Sequence, residues 1–305
     1  FEITAADRVL QFASINFDTC VEEIYPCWLA GGTLVLRDEE MIDSVDEFVS
    51  ECGRLGITVL DLPTAYWHEW TSEMEVSAVA SAVPPSLRLV ILGGEAAHRD
   101  RWLSWREKVG ARVRLINTYG PTEATVVSTR FDLTDAEAQS FDEPPIGRPI
   151  SGGGAYLIDA AGQLVPLGID GEIALGGAGV ALGYLGRPDW TAERFVPDPF
   201  SGSFGARLYR TGDLARWLPS GVLEFRGRND SQVKIRGHRI ELGEVEQALR
   251  AISAVREVAV VAPVDERGLR RLVAFVLPSD PATPPVSDDL RATLSLRLSD
   301  AMIPA

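Results

Sequence analysis

A chain of 305 residues has room for one large domain and one small one. With 46% hydrophobic and 24% charged residues, and no apolar run long enough to cross a bilayer, the composition predicts a soluble, cytoplasmic protein with no membrane partner. A net charge of -15 argues against a nucleic-acid partner, whose phosphates it would repel, and favours a cationic substrate. Cys20, Cys27 and Cys52 are odd in number and lack metal-ligand spacing, so they read as buried thiols in a reducing compartment. The start, Phe1-Glu2-Ile3-Thr4, has no basic region, no signal-type apolar core and no initiator Met, and the chain is read as a piece of a longer one.

Residues 10–18 alternate like a strand that leads into a helix capped near Asp18. That helix is expected to turn Val21, Ile24, Tyr25 and Trp28 inward and to stop at Gly31-Gly32. Strands are predicted at 33–36, 57–60, 89–92 and 113–116, with a helix over 45–55 between the first two. Pro63 closes one strand, and Gly93-Gly94 turns the chain after another. Strands and helices alternating at this length indicate parallel α/β layers, where ligands sit beyond the carboxyl ends of strands. Asp18, Asp61, Gly93 and Thr118 all fall at or near such ends.

From about residue 150 the texture changes to short strands at 155–159, 172–175 and 222–225, separated by Gly- and Pro-rich turns. After Asp230 a compact unit is expected: a strand at 232–235, a helix over 242–252, strands at 258–261 and 272–277, and a helix over 288–298. The expected fold class is α/β: a large N-terminal domain of parallel layers plus a β-rich subdomain, residues 1–229, then a small mobile α+β domain, residues 230–305.

Four polar stretches carry the chemistry. They are Asn117-Thr118-Tyr119-Gly120-Pro121-Thr122-Glu123, the Gly-rich run 171–185, Tyr209-Arg210-Thr211-Gly212-Asp213-Leu214, and the run 227–246 with Arg228, Asp230 and Lys234. All four read as loops. In type and order they resemble the motifs of the adenylate-forming superfamily, and specifically the adenylation domains of nonribosomal peptide synthetases. The similarity runs from Phe17 to Pro304.

The resemblance implies an amino-acid adenylating ligase that joins a carboxylate to the α-phosphate of ATP with Mg²⁺ as cofactor. Tyr119 would stack on adenine, with Gly94 and Asn117 near its edge. Thr122 would touch the α-phosphate, and Glu123 would help hold Mg²⁺. Asp213 would accept the ribose hydroxyls, and Arg228 would lie by the ribose or phosphate. Asp230 matches the hinge on which the small domain turns, and Lys234 a residue of the thioester-forming pose. No family role attaches to His68 or His98. The family's phosphate loop would precede residue 1 and its last catalytic lysine would follow Ala305, so a chain without them is expected to adenylate slowly or not at all.

By the same resemblance the amino-acid pocket is formed by Asp18, Thr19, Glu22, Asp61, Ile91, Gly93, Thr118, Val126 and Val127. Asp18 would pair with the substrate α-ammonium. Glu22 and Asp61 are unusual, because two carboxylates desolvated together are costly unless a cation joins them. The expected substrate is therefore a basic amino acid, resembling pockets for capreomycidine or β-lysine, with lysine, ornithine and arginine also open. A guanidinium fork suits two acids best.

Expected partners are a phosphopantetheinylated carrier protein domain, in antibiotic biosynthesis, and a candidate MbtH-like protein, since residues 191–200 resemble the segment found in helper-dependent domains. The alternatives are an acyl- or aryl-CoA ligase, which would have no ammonium for Asp18, and a non-catalytic amino-acid or nucleotide-binding module.

Overall fold

The computed structural model describes residues 1–230, 232–235, 238–264 and 270–305, the side chains of residues 80, 81 and 239 excepted. The chain divides into two compact units, Phe1–Asn229 and Asp230–Ala305.

A seven-stranded sheet organises the first unit. Its strands are β1 (Arg8–Gln11), β2 (Thr33–Leu36), β3 (Val59–Pro63), β4 (Leu89–Gly93), β5 (Arg114–Tyr119), β6 (Thr129–Asp132) and β7 (Arg148–Pro149), in the order β2-β1-β3-β4-β5-β6-β7. The first five run parallel, and β6 and β7 are antiparallel additions at the edge. β3 and β4 are apolar almost throughout because both their faces are covered, as parallel strands require.

One face of the sheet packs Leu10, Leu60, Leu62, Val90, Leu92 and Leu115 into the main core. That core draws on helices α2 (Val45–Arg54), α3 (Thr64–Glu73) and α5 (Arg99–Lys108), through Phe48, Trp67, Trp70 and Trp105 among others. The short α4 (Ala78–Ser81) lies between α3 and β4 in sequence. Ser44 caps α2 by accepting from the Glu47 N–H at 3.1 Å, half of a Ser-x-x-Glu box. The opposite face carries α1 (Thr19–Leu29), whose Cys27 packs with Val9, Val59, Leu89, Ile91 and Ile116.

Helix α1 departs from expectation. Its buried residues are Cys20, Glu22, Glu23 and Cys27, whereas Val21, Tyr25 and Trp28 are exposed, the last two at 57% and 61%. Apolar periodicity picked the wrong face because local wiring fixes the helix rotation. Buried Glu23 accepts from the Phe12 and Ala13 N–H groups, each at 2.9 Å, and from Gln11 Nε2 at 3.1 Å, so the β1–α1 loop depends on it. At the far end Gly31, at φ 73°, closes the helix: its N–H reaches Trp28 O and the Gly32 N–H reaches Cys27 O at 2.8 Å.

A second, antiparallel sheet completes the first unit. It holds β8 (Gly153–Ile158), β9 (Gly171–Gly177), β10 (Phe195–Pro197), the eleven-residue β11 (Arg207–Trp217) and β12 (Leu223–Arg228). Helix α6 (Pro188–Arg194) precedes β10. β9 extends the strand expected at 172–175 to Gly171–Gly177, whereas Tyr209 to Leu214, expected as a loop, lies within β11. Alternation was hidden there by glycines, and by a bulge between Arg210 and Leu214 centred on Gly212, at φ 74°. Asn117, Thr118 and Tyr119 likewise belong to β5 and not to the loop after it.

The second unit contains two antiparallel pairs, β13 (Gln232–Ile235) with β14 (His238–Glu241) and β15 (Val255–Val261) with β16 (Val273–Pro278). Helices α7 (Leu242–Arg250) and α8 (Ser287–Leu294) close its core around Ile240, Val245, Leu249 and Leu294. Ser231, Arg236 and Gly237 of the last polar stretch lie outside the described residues. Among the described residues no helix is long and apolar enough to cross a membrane.

Candidate active site

The parallel register places the residues expected to form the amino-acid pocket. Asp61 on β3 stands beside Ile91 on β4, and Pro63 beside Gly93. Residues two apart on a strand share a face, so Asp61 and Ile91 form one row, with Gly93 and Thr118 in the row nearer the carboxyl ends. A Cβ at Gly93 would stand 3.0 Å from Thr118 Oγ1, which itself donates to Leu92 O at 2.8 Å. The absent side chain at 93 keeps that row open.

Across this face Glu22 of α1 meets Asp61. They are 9% and 2% exposed, and their carboxyl groups bear directly on each other. Burial raises the protonation range of both, and the charge of Glu22 raises Asp61 further. Glu22 Oε1 and Asp61 Oδ2 are buried without a hydrogen-bond partner. Asp18, the N-cap position of α1, makes no side-chain capping bond, and it and Thr19 are half-buried. Val126 and Val127 are half-buried on the turn after β5. Thr125 and Val126 both take positive φ, 61° and 66°, a conformation that costs an L-residue about 1–2 kcal/mol. Thr125 Oγ1 donating to Gly179 O at 2.6 Å and the Ser128 N–H donating to Tyr119 O at 2.8 Å hold the turn in place.

The residues expected at the nucleotide are wired differently. Thr118 and Tyr119 are neighbours on β5 and so point to opposite faces. Tyr119 Oη donates to Asp213 Oδ2 at 2.7 Å, and Arg228 Nη1 to Asp213 Oδ1 at 2.5 Å. Burial, then the Asp213 charge, pushes the Tyr119 phenol well above its usual range, which keeps it a donor. The Gly212 bulge aims Asp213: its N–H donates to Glu172 Oε1 at 3.1 Å, and Thr211 Oγ1 accepts from the Asp213 N–H at 3.0 Å. Arg210 in turn pairs with Glu172 at 2.5 Å. Asn117 is buried and donates from Nδ2 to Pro145 O at 2.8 Å, and Gly94 sits at φ 91°.

Thr122 and Glu123 lie on a single 3₁₀ turn, Thr122 exposed and Glu123 half-buried. Glu123 Oε1 accepts from Tyr184 Oη at 2.7 Å, and Tyr184 Oη lies 3.3 Å from Tyr209 Oη. Tyr184 was not singled out in the sequence, although it stands in the Gly-rich run. Its phenol is pushed up by burial and by those two neighbours, so it stays protonated toward Glu123. Among the described residues no three His, Cys, Asp or Glu side chains cluster as a metal cage. That donor set, one carboxylate oxygen group on an exposed turn, fits a Mg²⁺ carried chiefly by substrate phosphates.

Arg228 is on β12, in register with Asp213. Asp230 begins the second unit and accepts the Gln232 N–H at 3.1 Å, and Lys234 is half-buried on β13. His68 is buried, stacked on His98 at 4.3 Å and accepting its N–H at 3.0 Å. Burial pushes His68 down to about 3, so it is a neutral packing residue.

The AMP-binding enzyme family model matches residues 1–185, and that of the AMP-binding enzyme C-terminal domain matches residues 244–305. Isonitrile lipopeptide synthase of Streptomyces coeruleorubidus is 46% identical over 300 residues, a stretch that is 98% of this chain and 19% of the relative. The chain thus spans about a fifth of that relative's length. The Vibrio cholerae adenylation domain AlmE, solved with glycyl-adenosine-5'-phosphate, matches 100% of this chain and 56% of its own at TM-score 0.85 and 29% identity. An artificially fused adenylation–PCP di-domain NRPS from Klebsiella oxytoca matches 99% of this chain and 54% of its own at TM-score 0.81 and 27% identity. The fold, the two family models and these relatives agree: the chain belongs to the AMP-binding enzyme family and is a homologue of the adenylation domains of nonribosomal peptide synthetases.

Proposed function

We propose that the protein activates a basic amino acid as its aminoacyl-AMP and passes it to the phosphopantetheine thiol of a carrier protein. A substrate carboxylate oxygen attacks the α-phosphorus of ATP, and the bond to pyrophosphate breaks. Asp18 takes the α-ammonium, and Thr19, Ile91, Gly93, Thr118, Val126 and Val127 shape the space around the side chain. Tyr119 offers its ring to adenine, with Gly94 and Asn117 at the edge of the base. Asp213 exchanges part of its bonding to Tyr119 and Arg228 for the ribose hydroxyls. Thr122 donates to the α-phosphate, where charge builds as pyrophosphate departs. Mg²⁺ held by Glu123 and phosphate oxygens would screen the repulsion between the two anions.

The observation that carries the substrate class is the buried contact of Glu22 with Asp61, two acids with unmet acceptor atoms. A guanidine, as in capreomycidine, answers both with one planar fork, and a diamine such as β-lysine answers with a point charge. Asp230 serves as the hinge and Lys234 acts in the thioester-forming pose. The fused adenylation–PCP relative supports a carrier-protein partner. An MbtH-like helper, Mg²⁺, a cytoplasmic location and an antibiotic product complete the reading.

The test is amino-acid-dependent ATP–pyrophosphate exchange by the protein in its natural length, over basic, neutral and acidic amino acids. Exchange with a guanidine or diamine acid, lost in Glu22→Gln and Asp61→Asn, is expected. Exchange with neutral acids only would keep adenylation and overturn the cationic pocket.

A further inference from the structure

Two carboxylates buried against each other repel unless a proton or a cation stands between them, and neither Glu22 nor Asp61 has a protein donor on its buried oxygen. The pair sits on different elements, α1 and β3, with little access to water. The other charged groups that bear on it are Glu23 and Asp18, both from the α1 segment. Glu23 is already occupied by the loop N–H groups and Gln11, and burial pushes it up to about 7, so its repulsion on the pair grows across neutral pH and is shared by wild type and Glu22→Gln alike. From β4 the register neighbour of Asp61 is Ile91, which offers nothing polar. Glu22 Oε1 and Asp61 Oδ2 are buried with no protein donor, so they are the atoms open to a shared proton or to a ligand's N–H groups.

Resting on the cationic-substrate reading, we propose that this pocket exchanges a proton for its ligand: the empty pair holds at least one proton between Glu22 and Asp61, and the substrate's side-chain cation displaces it. The O–H bond of the shared carboxyl breaks, the proton goes to solvent, and N–H groups of the cation take up the carboxylate oxygens. One charge out for one charge in leaves the net charge of the buried space unchanged, so binding desolvates no additional net charge. A neutral isostere gains nothing from the exchange. The pair therefore selects by charge, and does so more sharply as pH rises.

Calorimetric titration of the intact protein with L-arginine, in buffers of different ionisation enthalpy, reads the exchange directly. Arginine remains charged throughout, so any pH dependence belongs to the pocket. Between about pH 6 and about pH 8, roughly one proton should be released per arginine bound, with affinity rising by up to about tenfold per pH unit. Citrulline, of nearly the same shape and uncharged at the side chain, should release none. Glu22→Gln should abolish the release.

A measurement without ligand stands beside it: the melting temperature of wild type and Glu22→Gln against pH. A carboxyl whose range is raised by folding contributes stability below its unfolded value and loses it as pH climbs through the folded one. Wild type should therefore lose ground to Glu22→Gln from just above the usual glutamate range up to about pH 8, and no further beyond it. Arginine binding without proton release and with flat affinity would overturn the exchange while leaving the basic-substrate reading intact. Parallel melting curves for the two proteins would also overturn it. Failure of arginine, lysine, ornithine and β-lysine all to bind at any pH would overturn the reading itself, and the exchange with it.

Discussion

Two buried aspartates of one unit have opposite surroundings. Asp213 has a donor on each oxygen, Tyr119 Oη and Arg228 Nη1, and its backbone is aimed by a bulge pinned to Glu172. Asp61 faces another acid and has an oxygen with no partner at all. The difference separates two design problems. A group that meets the same ligand in every turnover gains from being built in advance, with its charge compensated by the protein. A group that identifies a variable ligand gains from being left incomplete, because the missing donors are what the correct ligand brings.

The contrast can be broken most forcefully on the compensated side. Arg228→Ala would leave the Asp213 carboxylate buried with Tyr119 alone and should destabilise the fold by about 3–5 kcal/mol, the usual effect of stripping one partner from a buried pair. Urea denaturation of the variant reads this as a lower midpoint at unchanged slope. The opposite sign is expected on the incomplete side. Asp61→Leu removes an acid with an unmet atom and should stabilise the protein above neutral pH by about 1–3 kcal/mol, while ending exchange with basic amino acids. A lowered melting temperature for Asp61→Leu at alkaline pH would show that Asp61 is compensated after all. The smallest effect sharpens the comparison at a third acid. Tyr184→Phe deletes the 2.7 Å bond to Glu123 and should cost about 1 kcal/mol. It should also raise the magnesium concentration needed for half-maximal exchange.

Sequence patterns revealed what continuous burial or hard punctuation imposes. The β3 and β4 strands, the turn at Gly93-Gly94 and the stop at Gly31-Gly32 were legible because apolar runs and glycines leave few alternatives. The rotation of α1 was not legible. Val21, Tyr25 and Trp28 form a better apolar stripe than the residues that are buried, and the deciding contacts come from loop N–H groups that bond to Glu23. β11 was missed because its bulge at Gly212 breaks the two-residue period. Within the site, chemically distinctive residues such as Asp61 and Asp213 could be singled out from their motifs. Tyr184 and Glu172 could not, since each works by holding a group 61 or 40 residues away, a relation that no local pattern carries.

The alternation of Thr118 and Tyr119 on β5 bears on how this protein could be rewritten. One strand serves as a party wall, with the proposed amino-acid pocket on one side and the Asp213 network on the other. Glu22 and Asp61 come from α1 and β3, and the groups that hold Asp213 come from β9, β11 and β12 besides Tyr119 of the wall itself. Under the proposed function, recoding Glu22 and Asp61 therefore alters which tenant is admitted without moving the fittings next door. Inserting or deleting a single residue in β5 would interchange the two rooms, so the wall tolerates redecoration of either face but no change in length.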